Sequence, residues 1–378
     1  MSSDKRNQAV NWTDGMKLNK DHFVEQENWV QEGIRDSASI RLTNFNYGLL
    51  KGSTDSSLEL MLNIDQDNQL NIKVTDCIAI TRGGRRIEFD IQNIQKLQYP
   101  LEKLTTDFNI SEASNEMFDI ILAVLPDSRI PVGIPNDNEI PFRHPFVLPE
   151  YQIHVIPTKQ VNASQMWNNH ITIGKFQVVA REVQFYTDYI PPCSSVDAYP
   201  FLLDFYYSFE NSIEKISSAL AEYMRKNRNN EGKLDSNLCY VFERLAYFLT
   251  TNQSHYKLIL RSESPVFMVE FFIRFARLYK SVLSWMSEYD REEILNHFSH
   301  FVSSRDIDDA AYELMNLEYD HQDIFSSVTK VDKFVSLVQD LFQKMVFSGK
   351  QIPPVKETPT PKKAKRGPVV IRDGKKIN

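Results

Sequence analysis

Apolar and polar positions change rhythm twice along the chain. Over 20–38, Phe23, Val30 and Ile34 recur on one side of a polar stretch. This spacing predicts a helix with a thin apolar face, laid on a body rather than inside one. Asn19 is placed to cap it, and Asp21 puts a carboxylate in the first turn, where the helix dipole favours one. From about 44 to 190, short segments rich in Ile, Val, Phe and Tyr alternate with turn residues. They predict strands at 45–50, 57–64, 69–76, 78–80, 86–89, 117–125 and 151–156, with one or two more in 171–185. Asp65-Gln66-Asp67-Asn68 marks one turn, and Gly83-Gly84 marks a tight hairpin because both glycines accept positive φ. The run 117–125 is apolar enough for a buried central strand. Many short strands at this spacing predict an antiparallel sandwich or barrel. Residues 130–149 hold Pro131, Pro135, Pro141, Pro145 and Pro149, a density that predicts an extended contact loop instead of a ladder.

Pro191-Pro192 closes this region, and the pattern turns helical to about 348. Leu202, Phe205, Phe209, Ile213, Ile216, Leu220 and Tyr223 step by three or four, one broad apolar face. A second helix is expected over 236–250. Pro265 opens a third, to about 288, that is apolar on most sides; such a helix is central in a bundle or pressed against another subunit. Shorter helices are expected at 291–302 and 307–318. Over 323–347, Val328, Val331, Val335, Val338, Phe342 and Met345 form a short heptad seam, best read as bundle packing. The expected fold class is α+β: an N-terminal arm and helix (1–43), a β-sandwich (44–192), a helical bundle (193–349) and a disordered basic tail (350–378).

Charge sharpens the last boundary. Residues 350–378 carry nine Lys/Arg against two acids, a net of +7; with −7 overall, residues 1–349 sum to −14. An acidic body argues against nucleic acid binding by it. Lys362, Lys363, Lys365 and Arg366 are the expected contacts of the tail with an anionic surface. The first ten residues lack the apolar segment of a signal peptide, and no stretch is apolar enough to span a membrane. Cys77, Cys193 and Cys239 are far apart, with no CxxC, and read as free thiols of a cytosolic protein.

No phosphate loop, dinucleotide fingerprint, zincin or nucleophile-elbow motif occurs. His297 and His300 share a helix face but lack further ligands. Asp306, Asp308 and Asp309 fit a solvated helix start better than a calcium loop. No catalytic, cofactor or metal residues are expected, and the chain reads as a non-enzyme.

The stretch 10–35 concentrates Trp12, Asp14, Gly15, Met16, Leu18, His22 and Phe23 before a polar helix containing Glu25-Gln26. Taken alone, it is either an arm that tucks Trp12 and Leu18 into a nearby core or a docking arm for a partner. This run resembles the opening of the TssK subunit family of the type VI secretion baseplate. Tyr189-Ile190-Pro191-Pro192-Cys193, followed by Ala198, Pro200 and Leu202-Leu203, resembles the phrase with which that family enters its bundle. The Ser264-Pro265 helix with Phe272, Phe275, Leu278 and Tyr279 is a third, weaker likeness. The chain departs from the family at Lys20, where a proline is usual.

The resemblance covers about 10–348. It implies a sandwich shell related to phage receptor-binding proteins, a helical neck and no catalysis. It further implies a cytoplasmic homotrimeric adaptor at the inner face of the envelope. The shell would dock on baseplate wedge proteins through Trp12, Asp14, Gly15, Met16, Leu18, His22 and Phe23. The far end would face the membrane complex or its replacement, since the residues after 348 are too few and too polar to build the family's head domain. The residues expected to join copies are Phe271, Phe275, Leu278, Val282, Val331, Val335, Val338 and Phe342. The competing readings are a phage-tail-like receptor-binding protein, against which the loop 130–149 offers no Tyr or Trp platform, and an enzyme using His297 and His300.

Overall fold

The computed structural model describes residues 7–52, 57–89, 94–108, 116–136, 138–163, 168–179 and 182–347. The basic tail, with Lys362, Lys363, Lys365 and Arg366, lies outside the described residues.

Helix α1 (Lys20–Ser39) starts where the sequence places it. The Asn19 side chain accepts the His22 backbone N–H at 3.2 Å, and His22 Nδ1 accepts the Asn19 N–H at 3.3 Å. This reciprocal box satisfies two of the amide donors a helix start leaves free.

Two antiparallel sheets come next. The first is built on β3 (Gln69–Ile80), which pairs with β1 (Gly48–Leu49), β2 (Leu58–Ile64), β4 (Arg86–Phe89) and β5 (Gln95–Pro100). The β2–β3 turn is an Asx turn: Asp65 Oδ1 accepts the amides of Asp67 and Gln69, and Asn68 sits at φ 54°. Gly83-Gly84 turns β3 into β4, with Gly84 at φ 75°. After the short α2 (Leu101–Asp107), the second sheet runs in the order β7-β6-β8-β9, from β6 (Glu116–Val132), β7 (Phe146–Pro157), β8 (His170–Val179) and β9 (Glu182–Phe185). β6 is the expected central strand. Its Phe118, Ile120, Leu122 and Val124 share one apolar cluster with Leu70, Ile72 and Val74 of β3.

One expectation is corrected by the ladder itself. The prolines of 130–149 do not exclude pairing, because β6 and β7 stay joined out to Val132 and Phe146. Pro149 faces Arg129 and Pro131 faces Val147, two positions of the same class along the ladder. In one of the two alternating classes the amide points away from the partner strand, so a missing N–H there removes no ladder bond.

The helical half consists of α3 (Pro200–Asn227), α4 (Lys233–Leu258), α5 (Pro265–Ser284), α6 (Glu288–Ser299), α7 (Ser304–Met315) and α8 (Ile324–Phe347). α4 runs well past the expected 250. Its last turns look polar in sequence but are held by the buried Tyr256. α5 is central in its own bundle, with Phe271, Phe272, Phe275, Tyr279 and Val282 buried. Burying side chains of this size is worth roughly 1.5–3 kcal/mol each.

The Pro-Pro hinge is stitched to β1: Leu49 N–H donates to Pro192 O at 2.7 Å and Ser194 N–H to Leu49 O at 2.9 Å. Gly48 makes this approach possible. At φ 107°, a Cβ there would stand 2.0 Å from the Pro192 oxygen. Near the same junction, His321 Nε2 donates to Tyr47 O at 2.9 Å, Ser264 Oγ donates to Phe45 O, and Asp197 holds Lys51 at 2.8 Å.

Candidate docking surface

The arm turns at Asp14-Gly15, with Gly15 at φ 79° and Met16 N–H donating to Thr13 O at 3.2 Å. This returns Trp12 to the mouth of α1. Its ring lies 6.2 Å from Phe23, tilted at 54°, and 6.3 Å from His22, edge-on at 63°. An arm that tucks Trp12 and Leu18 into a nearby core is not what is seen: Trp12 is 48% exposed and Leu18 55%.

α1 sits with its apolar face outward. Phe23, Val30 and Ile34 form one exposed stripe, and no residue of the helix is buried. The face turned to the sandwich is polar. There Asn28 bonds Arg129 of β6 at 2.6 Å and the Arg35 stem lies against Gly84, while Arg129 also reaches round to the exposed Glu27 at 2.7 Å. On the arm side, Asn7 N–H donates to Glu32 at 2.9 Å. A helix fixed by charge-assisted bonds on one side and bare hydrocarbon on the other is shaped to be covered. His22 is a capping side chain. Asp14 and Met16 belong to the turn that sets Trp12.

The residues expected between copies are placed differently. Phe271, Phe275, Val282, Val331, Val335, Val338 and Phe342 are buried in the chain's own bundle, and Leu278 alone keeps exposed surface. The seam of α8 packs on α3, α5 and α7, which leaves these seven side chains no surface to offer a second copy.

His297 and His300 lie 6.3 Å apart between ring centroids, and burial followed by the neighbouring His300 pushes the His297 pKa down. Among the described residues no three His, Cys, Asp or Glu side chains gather to hold a metal. Burial pushes the Cys77 and Cys193 thiols up, away from reactivity. Asp119 is buried with Thr158 at 2.6 Å, Thr172 at 3.3 Å and Lys175 at 4.0 Å; burial raises its pKa and these three partners oppose that. Sequence reading missed this cluster, whose members come from three separate segments. It also missed an open cleft of about 510 Å³ between α4 and α5, lined by Tyr240, Tyr247, Leu278 and Trp285.

The chain matches no family model and no curated protein. Among solved structures it is similar to a crystal structure of TssK, at TM-score 0.51 and 14% identity, over 90% of this chain and 69% of that one. It is also similar to TssK from the EAEC type VI secretion system bound to a nanobody, at TM-score 0.49 and 15% identity, over 84% and 68%. A cryo-electron microscopy structure of a type VI TssK–TssF–TssG baseplate subcomplex matches at TM-score 0.48 and 14% identity, over 89% and 99%. At these identities the likeness is one of fold: the chain has a TssK-like fold.

Proposed function

We propose that this protein is a non-enzymatic adaptor of a type VI secretion baseplate. In this reading it is a cytoplasmic homotrimer at the inner face of the envelope. Residues 44–192 act as shell, 193–349 as neck, and the arm of 1–43 docks on wedge proteins. The helical end faces the membrane complex or its replacement, and the tail of 350–378 adds an electrostatic contact with an anionic partner. No described helix is long and apolar enough to cross a membrane.

The observation that carries the reading is the outward apolar stripe of α1, capped by Trp12, on a TssK-like fold. A monomer gains nothing from holding Trp12 and Phe23 in water, whereas central aromatic anchors dominate binding energy at interfaces. A trimer would present three such stripes at once, gaining avidity without a stronger single contact.

The test is binding of the full chain to purified wedge proteins by surface plasmon resonance. Trp12→Ala and Phe23→Ala are each expected to weaken binding at least about tenfold, roughly 1.4 kcal/mol, with thermal stability unchanged. Unchanged binding by both variants would remove the arm from the docking site.

A further inference from the structure

Beyond Ala123, β6 has left β8 behind. From Arg129 to Val132 it pairs with β7 alone, so the two strands continue as a two-stranded ribbon ending in 133–145. Isolated two-stranded ribbons are marginal in water. This one is fastened in shape. Gly133 sits at φ 94°, where a Cβ would meet Pro145 Cγ at 2.8 Å. His144 Nδ1 bonds Gly133 O at 2.8 Å, and Arg143 pairs with Glu139 at 2.9 Å. None of these bonds covers the apolar side chains. Ile134 is 92% exposed, Ile140 98%, Phe142 65% and Phe146 68%, with Ile130 and Val147 also exposed. With ordinary residue areas, these six exposures amount to on the order of 800 Å², one partner's share of a standard specific interface.

The charge of the ribbon permits a second copy as its occupant. Residues 1–349 sum to −14, so two copies repel unless the surfaces that meet are close to neutral. α1 carries five acids against Lys20 and Arg35, which suits a different partner. The ribbon 130–147 has a formal charge of only −1, and its one arginine is already paired within the tip. The seam residues that would otherwise join copies lie inside the bundle.

We propose that the ribbon tip, through Ile134, Ile140 and Phe142, is the surface by which one copy of this chain packs against a second copy. This rests on the trimeric reading above. Each tip contacts the next copy, and the contact closes as a ring.

The test is multi-angle light scattering and sedimentation of the full chain, wild type beside the double variant Ile140→Asp/Phe142→Asp, with wedge binding measured on both. The expected result is a wild-type trimer and a variant whose assembly midpoint rises at least about tenfold in concentration, with an unchanged circular dichroism spectrum. A second variant, Phe142→Cys on a Cys239→Ser background that removes the partly exposed native thiol, is expected to yield cross-linked multimers with a short bis-maleimide, which Cys239→Ser alone does not. A double variant that stays as trimeric as wild type overturns the ribbon contact and leaves the trimer standing. A variant that stays trimeric yet loses wedge binding also overturns it, by making the tip a docking surface for another protein. A wild-type monomer at micromolar concentration overturns the trimeric reading itself.

Discussion

The rings of Tyr206 and Tyr256 stack at 4.9 Å and 10°, and each hydroxyl donates to the other residue's backbone carbonyl, at 2.9 and 3.1 Å. The pair is buried and joins α3 to the last turns of α4. Each bond satisfies a polar group that burial would otherwise leave without water. Tyr206→Phe and Tyr256→Phe are each expected to lower stability by about 1–2 kcal/mol. The double variant should lose less than the sum, since both bonds depend on one ring stack. Urea titration of the three variants checks this.

Tyr279 shows the opposite case. Its hydroxyl is fully buried in α5 and has no hydrogen-bond partner among the described residues. Tyr279→Phe removes an unsatisfied group without changing the ring, so it is expected to leave stability unchanged or raise it by about 1 kcal/mol. A fall of more than about 1 kcal/mol in urea would show that the hydroxyl has a partner.

His321 makes the junction sensitive to acid. The Tyr47 carbonyl can only accept, so Nε2 carries the proton, and Nδ1 accepts from the Tyr319 hydroxyl at 3.0 Å. Burial lowers its pKa from 6.5 to about 4. A histidine held neutral in the fold binds its proton more readily when unfolded. Its stabilising contribution is therefore complete above the unfolded pKa of 6.5 and is lost as pH falls towards 4. The full effect is on the order of 3 kcal/mol. His321→Gln is expected to flatten the loss of stability between pH 6.5 and about 4 relative to wild type, read from urea midpoints at each pH.

Gly48→Ala tests the stitch between β1 and the Pro-Pro hinge. The new methyl would collide with backbone rather than with a movable side chain, in a left-handed conformation besides. A loss of about 3 kcal/mol or more is expected, seen as a lower thermal midpoint. Gly15→Ala is the control: its φ is also positive, but nothing lies within 4 Å of the added atom, so the effect should stay near about 1 kcal/mol and within the arm.

Local chemistry was legible wherever the cause is local. Asn19 and Asp21 announce the start of α1, Gly83-Gly84 announces a hairpin, and the three-four steps from Leu202 to Tyr223 announce α3, because each depends on neighbours within one or two turns of chain. The α+β class came from the change of period near Pro191-Pro192.

What covers a side chain is a different matter, since it depends on residues a hundred positions away. Val331, Val335, Val338 and Phe342 form the same heptad whether they face another copy or, as here, α3, α5 and α7. Phe23, Val30 and Ile34 make an apolar stripe in either orientation. The stripe faces solvent because the opposite side of α1 is the one held to the sandwich, where Asn28 bonds Arg129 and Arg35 lies against Gly84. Periodicity determines which residues share a face. Only the tertiary structure decides what that face meets, because packing is a contest among all the surfaces the chain can bring together.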